Sequence, residues 1–238
     1  MMERYLAVLV ERLAKVFGER LLSATLYGSA AAGDYQARYS DLNVLCVLRQ
    51  IGPDELELCA PIFRWWREAG NPAPLLMTDA ELRRSSDSFP IEFSDMLESR
   101  KVLHGADIVA ELAVDRRHYR AQLEHELRSA LLRLRQQATT ALSDRDQLLK
   151  LCLDSVSTFC VLGRHGLRLA GASAPMDKRG TVDQLIGAAG PEMRAFAVLL
   201  DVREGRSAPQ EQDPVNLFRR YLAAVQRLIE FVDAIGDS

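Results

Sequence analysis

The sequence predicts an α+β protein in two parts, a sheet with helices over residues 1–110 and an all-α bundle over 111–238. Two observations lead there. Apolar runs of strand length, Leu21–Tyr27, Val44–Leu48 and Leu75–Met77, with further strands read around Glu92 and Val102, all fall before residue 107. Such Leu- and Val-rich runs suit strands buried on both faces. Beyond Asp115 no strand run follows. Tyr119, Leu123, Leu127, Leu131 and Leu134 instead recur at helical spacing, and other helical stripes succeed them.

Each element has its own signal. Leu6, Leu9, Leu13 and Val16 make an amphipathic helix before the first strand. Ile51-Gly52-Pro53 breaks the chain after the second, and Asp54 is the expected cap of a helix running to about Ala69, where Gly70-Asn71-Pro72 stops it. Thr78 caps a short polar helix, DAELRRSS. The first half thus reads as four or five strands with helices on one side. In the second half Asp115 is the expected cap of the Tyr119 helix. Residues 146–163 are apolar on nearly every face, as a central bundle helix requires, with Gly163 and Gly166 as expected stops. GASAPMDKRGT (171–181) and EGRSAPQEQDP (204–214) read as loops. Short helices from Val182 and Pro191 lie between them, and Phe218, Leu222, Val225, Ile229 and Val232 mark the last helix.

Composition narrows the function. Of 238 residues 48% are hydrophobic and 26% charged, ordinary for a globular protein, and the net charge of −3 argues against indiscriminate nucleic-acid coating. Residues 1–110 carry 12 Lys/Arg against 16 Asp/Glu, and the remainder 18 against 17, so the half with strands is the acidic one. Cys46, Cys59, Cys152 and Cys160 form no C-x-x-C pair and read as buried thiols. The opening MMERYLAVLVERLAKVF is broken by Glu and Arg at helical spacing, which fits neither a leader nor a membrane span, and the expected location is cytoplasmic.

The chemistry gathers between Leu21 and Leu48. Gly28-Ser29 ends the first strand, and Asp41-Leu42-Asn43 begins the second, with 41 and 43 on one face by strand alternation. A small-residue turn offers backbone N–H groups and a hydroxyl to phosphates, and paired oxygen side chains beside it can hold a divalent cation. No P-loop is present, since Asp34-Tyr35 follows Gly33 where Lys-Ser/Thr is required.

Gly28-Ser29, ten intervening residues and Ser40-Asp41-Leu42-Asn43 resemble the signature of the nucleotidyltransferase superfamily, GS followed by a strand carrying D-x-D. That superfamily includes DNA polymerase beta, the kanamycin-type antibiotic nucleotidyltransferases and the minimal nucleotidyltransferases. Phe89–Met96, with Glu92 between Ile91 and Phe93, is similar to the strand that bears the family's third carboxylate, and Lys101–Gly105 to the strand after it. The resemblance implies a mixed sheet and magnesium-dependent transfer of a nucleoside monophosphate from an NTP to an acceptor held between the two halves. It also implies a triphosphate on Gly28 and Ser29, magnesium on Asp41, Asn43 and Glu92, and catalysis by Asp41 and Glu92. Asn43 departs from the family's second Asp. The alternative is therefore a catalytically impaired, antitoxin-like or regulatory nucleotide-binding protein. The acceptor is not legible, and a homodimer is compatible with the sequence.

Other candidates carry weaker signals. Arg117, Arg128 and Arg135 fall within about 20° on a helical projection, a row suited to phosphates, with Arg128 as the nucleotide contact. Arg120 and His125 match the R-x4-H spacing of helical-bundle nucleases. Trp65-Trp66 can stack a base or pack in the core, and Asp95 is a support residue or surface carboxylate.

Overall fold

The computed structural model describes residues 2–33, 41–115 and 117–236. The chain divides into two compact units, 1–118 and 119–238.

The first unit is built on four strands, β1 (Leu21–Tyr27), β2 (Asn43–Leu48), β3 (Leu75–Thr78) and β4 (Arg100–Gly105), in the order β3-β2-β1-β4. The β1–β2 and β1–β4 pairs are antiparallel and β2–β3 is parallel, so the sheet is mixed. Helices α1 (Met2–Phe17), α2 (Pro53–Glu68), α3 (Asp79–Arg84) and α4 (Pro90–Glu98) complete the unit.

The helices cover both faces, not one. Leu42, Val44, Cys46 and Leu48 pack with Leu6, Leu9 and Leu13 of α1 and Ile62 and Trp66 of α2. The alternate residues, Leu45 and Val47, pack with Leu82 of α3, Phe93 and Met96 of α4, and Val109. This two-sided burial is why β2 reads as an unbroken apolar run. Each such side chain contributes about 1.5–3 kcal/mol of transfer free energy.

Several local expectations change. Gly52, not Asp54, precedes α2. Pro53 takes its first position, and Glu55 closes the turn by accepting from the Gly52 N–H at 3.0 Å. The strand expected at Glu92 is α4, entered through Pro90, because Ile91, Phe93, Ser94 and Met96 bury one side at helical spacing. Thr78 does cap α3, paired reciprocally with Glu81.

The second unit holds α5 (Tyr119–Ala141), α6 (Arg145–Leu169), α7 (Lys178–Ala188), α8 (Arg194–Arg203) and α9 (Pro214–Asp233). Helix α6 packs against the other four. It runs through Gly163 and Gly166 instead of stopping there. A Cβ at 163 would lie 2.6 Å from Leu185 Cδ1 of α7, and one at 166 would lie 3.0 Å from Val232 Cγ2 of α9. These glycines allow close helix approach. Asp115 does not cap α5, since its carboxylate accepts from the Arg117 N–H two residues on, before the helix begins. The first loop is also shorter than expected, because Asp177 caps α7 ahead of Val182.

Gly105 ends β4 with φ of +71°, and a Cβ there would sit 2.0 Å from the Leu22 carbonyl oxygen. Gly105→Ala is expected to cost about 2 kcal/mol or more. Gly70→Ala, also left-handed at +88° but facing open space, isolates the conformational strain alone. Urea denaturation of both variants measures the difference. Equal losses would show that the Leu22 contact relaxes freely.

Candidate functional site

Strand β1 delivers the chain to Gly28, which turns it with φ of +78°. The Gly28 carbonyl accepts from the N–H groups of Ala31 and Ala32 at 3.0 and 3.1 Å, so Ser29 sits in a closed turn, half-buried. Tyr27 pairs with Asn43 on β2 and with Arg100 on β4. A Cβ at Gly28 would approach Asn43 Nδ2 to 3.3 Å. Only glycine both turns here and leaves that amide its place.

Asp41 and Asn43 flank Leu42. Leu42 is 2% exposed and packs in the cluster formed with α1 and α2, while Asp41 is exposed and Asn43 half-buried. By alternation Asn43 shares its face with Leu45 and Val47, the face covered by α3 and α4. Residues 34–40, including Ser40 of the motif, lie outside the described residues.

Glu92 reaches the same side of the sheet from the first turn of α4. It lines a cavity of about 460 Å³ together with Tyr27, Leu75 and Met77. The strand next to β2 is β3, Leu75-Leu76-Met77-Thr78, which carries no carboxylate. Leu75 stands opposite Leu45 in the parallel register. A third acidic residue carried on the neighbouring strand is therefore absent here, and a helix supplies Glu92 instead.

Burial raises the Tyr27 phenol above its ordinary pKa of 10.0, and the Glu92 charge raises it further, followed by Cys46. Tyr27 and Glu92 are thus electrostatic neighbours. Tyr27 was not singled out from sequence, although its position directly before Gly28 is the signal that marks it.

The residues expected from sequence to hold a cation, the carboxylates Asp41 and Glu92 and the Asn43 amide, all offer hard oxygens. Among the described residues no group of three His, Cys, Asp or Glu stands ready for a metal. Oxygen chemistry suits magnesium, which keeps waters and takes few protein ligands. A net ligand charge of −2 suits one such ion better than two.

The arginine row does not survive as a row. Arg117 lies before α5 and pairs with Asp115, so helical projection does not relate it to the others. Arg128 donates to both carboxylate oxygens of Asp233 on α9, at 2.9 and 3.0 Å, which engages it in the bundle. Arg135 is exposed. Arg120 is likewise held by the Ile235 and Asp233 carbonyls and by Glu124, while His125 is exposed one turn on. Trp66 is fully buried, its indole N–H donating to the Pro72 carbonyl at 2.8 Å. Trp65 lies under the Arg12 guanidinium, 4.1 Å from the ring centroid. Asp95 lies half-buried on α4.

The fold is thus a mixed sheet with a Gly-Ser turn at the end of β1, followed by a helical unit. The chain is similar in structure to a spectinomycin adenyltransferase from Enterococcus faecialis solved with ATP and spectinomycin, with a TM-score of 0.60 and 13% identity over 93% of this chain and 98% of that one. No family model matches, and no curated protein matches. Among the described residues no helix is long and apolar enough to cross a membrane.

The Tyr27 environment can be tested directly. The raised pKa favours the neutral phenol in the folded state, so this group's contribution to stability is intact below pH 10 and is lost as pH climbs through the folded value. Glu92→Gln is expected to lower the Tyr27 pKa without restoring its ordinary value, because burial is the larger cause. Phenolate absorbance against pH, with Tyr27→Phe subtracted, reads this. An unchanged titration would separate Glu92 from Tyr27.

Proposed function

We propose that the chain transfers a nucleoside monophosphate from an NTP to an acceptor hydroxyl, with magnesium. The observation that carries this reading is the pairing of Tyr27 with Asn43, which sets the Gly-Ser turn beside the start of β2, where Asp41 and Asn43 stand. It stands in a fold similar to that of an enzyme solved with ATP and an acceptor.

In this reading Ser29 and the turn's backbone N–H groups receive the triphosphate. Asp41, Asn43 and Glu92 would hold the cation, which when bound would offset phosphate charge. The acceptor oxygen attacks the α-phosphorus, the bond from that phosphorus to the bridging oxygen of the β-phosphate breaks, and pyrophosphate leaves. Glu92 takes the proton of the acceptor hydroxyl. Tyr27 lies in the electrostatic neighbourhood of Glu92. The proposed active centre lies within residues 27–96. Arg128 has no part in it.

A second reading, nucleotide binding without turnover, is favoured by one feature. The strand position beside β2 is Leu75, and Asn43 is neutral, so two positions that could add negative charge do not.

Asn43→Asp distinguishes the two readings at nearly constant side-chain volume. The added charge is expected to tighten magnesium–ATP binding by at least about tenfold, or about 1.4 kcal/mol. With labelled NTPs and cell extract as acceptor source, transfer by the parent protein and faster transfer by the variant would support catalysis. Tighter binding with no transfer in either protein would support the sensor. If calorimetry finds no magnesium–ATP binding in either, both readings fail.

A further inference from the structure

The cavity beside Glu92 has a composition that the nucleotide does not explain. Its volume, about 460 Å³, lies in the range of small-molecule sites. Leu75, Met77, Phe89, Phe93 and Met96 supply its walls. Leu75 and Phe89 remain 40% and 47% exposed, so the apolar wall continues to the mouth. Phe89 and Phe93 meet edge to face, with centroids 6.1 Å apart.

The polar groups are few and share one character. Tyr27 and Ser85 bring hydroxyls, and Glu81 and Glu92 bring carboxylates. Among the described residues lining the cavity none is Lys, Arg or His. Glu81 is anchored: its Oε2 accepts from the Thr78 N–H at 2.7 Å and from the Thr78 hydroxyl at 2.9 Å. These bonds hold its pKa below the usual carboxylate value, so it stays anionic.

Charge complementarity then specifies the occupant. A triphosphate would meet two carboxylates and greasy walls, both unfavourable. A polyhydroxylated ligand would leave most of its hydroxyls unpaired against Leu, Met and Phe. An ammonium group near Glu92 and Glu81, with an aromatic or aliphatic body among Phe89, Phe93 and the methionines, matches every part. The aromatic rings favour a cation as well.

We propose that this cavity is a binding site for a small amphipathic amine, an ammonium group on an apolar body, and that such an amine carrying a hydroxyl is the acceptor. The acceptor assignment rests on the nucleotidyl-transfer reading, whereas amine binding does not. Glu92 serves both, receiving the ammonium when the amine docks and lying beside the hydroxyl that reacts.

The test uses the full chain labelled at methionine methyl groups, with phenethylamine as probe. Met77 and Met96 line the cavity, and Met2, Met176 and Met193 lie elsewhere and serve as internal controls. Met77→Leu and Met96→Leu assign the two signals. Phenethylamine is expected to move both and leave the controls still. Neutral phenethyl alcohol is expected to bind at least about tenfold more weakly, and Glu92→Gln to weaken the amine by a similar factor. Phe89→Ala, at an exposed position that leaves the core intact, is expected to weaken both probes.

Unmoved Met77 and Met96 signals, or equal binding of the alcohol and the amine, would overturn the site. So would spectinomycin binding there in preference to phenethylamine, which would make the cavity a polyol site. Magnesium–ATP calorimetry on the same sample separates the two ideas. Amine binding without ATP binding sinks the transferase reading and keeps the cavity, and the reverse result sinks the cavity alone.

Discussion

The first unit depends on the antiparallel pairing of β1 with β2, buried on both sides. Register sets everything downstream, because a one-residue slip would exchange the two faces of β2. With Tyr27 opposite Asn43, the even-numbered residues of β2 enter the α1–α2 core and the odd-numbered ones enter the α3–α4 core. The same register sets Asn43 beside the Gly28 turn, opposite Tyr27. Packing that excludes water from Leu42, Val44 and Cys46 thereby fixes where the polar end of the strand meets the turn. Core formation thus places the turn and the start of β2 side by side.

Much of the sheet is legible in sequence because β1 and β2 are apolar enough to be read without their neighbours. Gly28 is equally legible, since a strand ending in Gly-Ser requires a turn. Glu92 shows the limit. Flanked by Ile91 and Phe93, it satisfies a strand pattern, but Pro90 and the burial of Ile91, Phe93, Ser94 and Met96 favour a helix. A segment this short supports either period, and only the surface it packs on decides. Gly163 and Gly166 failed for a related reason. As helix stops they obey local propensity, but in α6 they serve contacts with Leu185 and Val232 from segments twenty or more residues away. No local window contains that information.

The arginines teach the same lesson through electrostatics. On a helical projection Arg128 looks available to a phosphate, and its partner Asp233 is more than a hundred residues later in the chain. An exposed pair of this kind contributes at most about 1 kcal/mol. It nevertheless commits the Arg128 Nη2 to both Asp233 oxygens, within the bundle. Arg120, gripped by two C-terminal carbonyls, is committed in the same manner. Of the arginines read from sequence as candidates, Arg120 and Arg128 tie α5 to the C-terminal end of α9 and the residues just after it.

Charge on the α3–α4 face of the sheet connects the proposed chemistry to the proposed ligand. A face built for two divalent cations needs several carboxylates converging from the strands. Here Asn43 is neutral, Leu75 is apolar, and the remaining acidic groups are divided between the start of β2 and the helices α3 and α4. Removing carboxylates from the strands lowers the field at the turn and leaves β3 free to wall a cavity. The helices place negative charge on the cavity's side, through the exposed Glu81 and Glu92. In the proposed reading, an organic cation docked in the cavity would supply part of the positive charge that a second metal would otherwise bring.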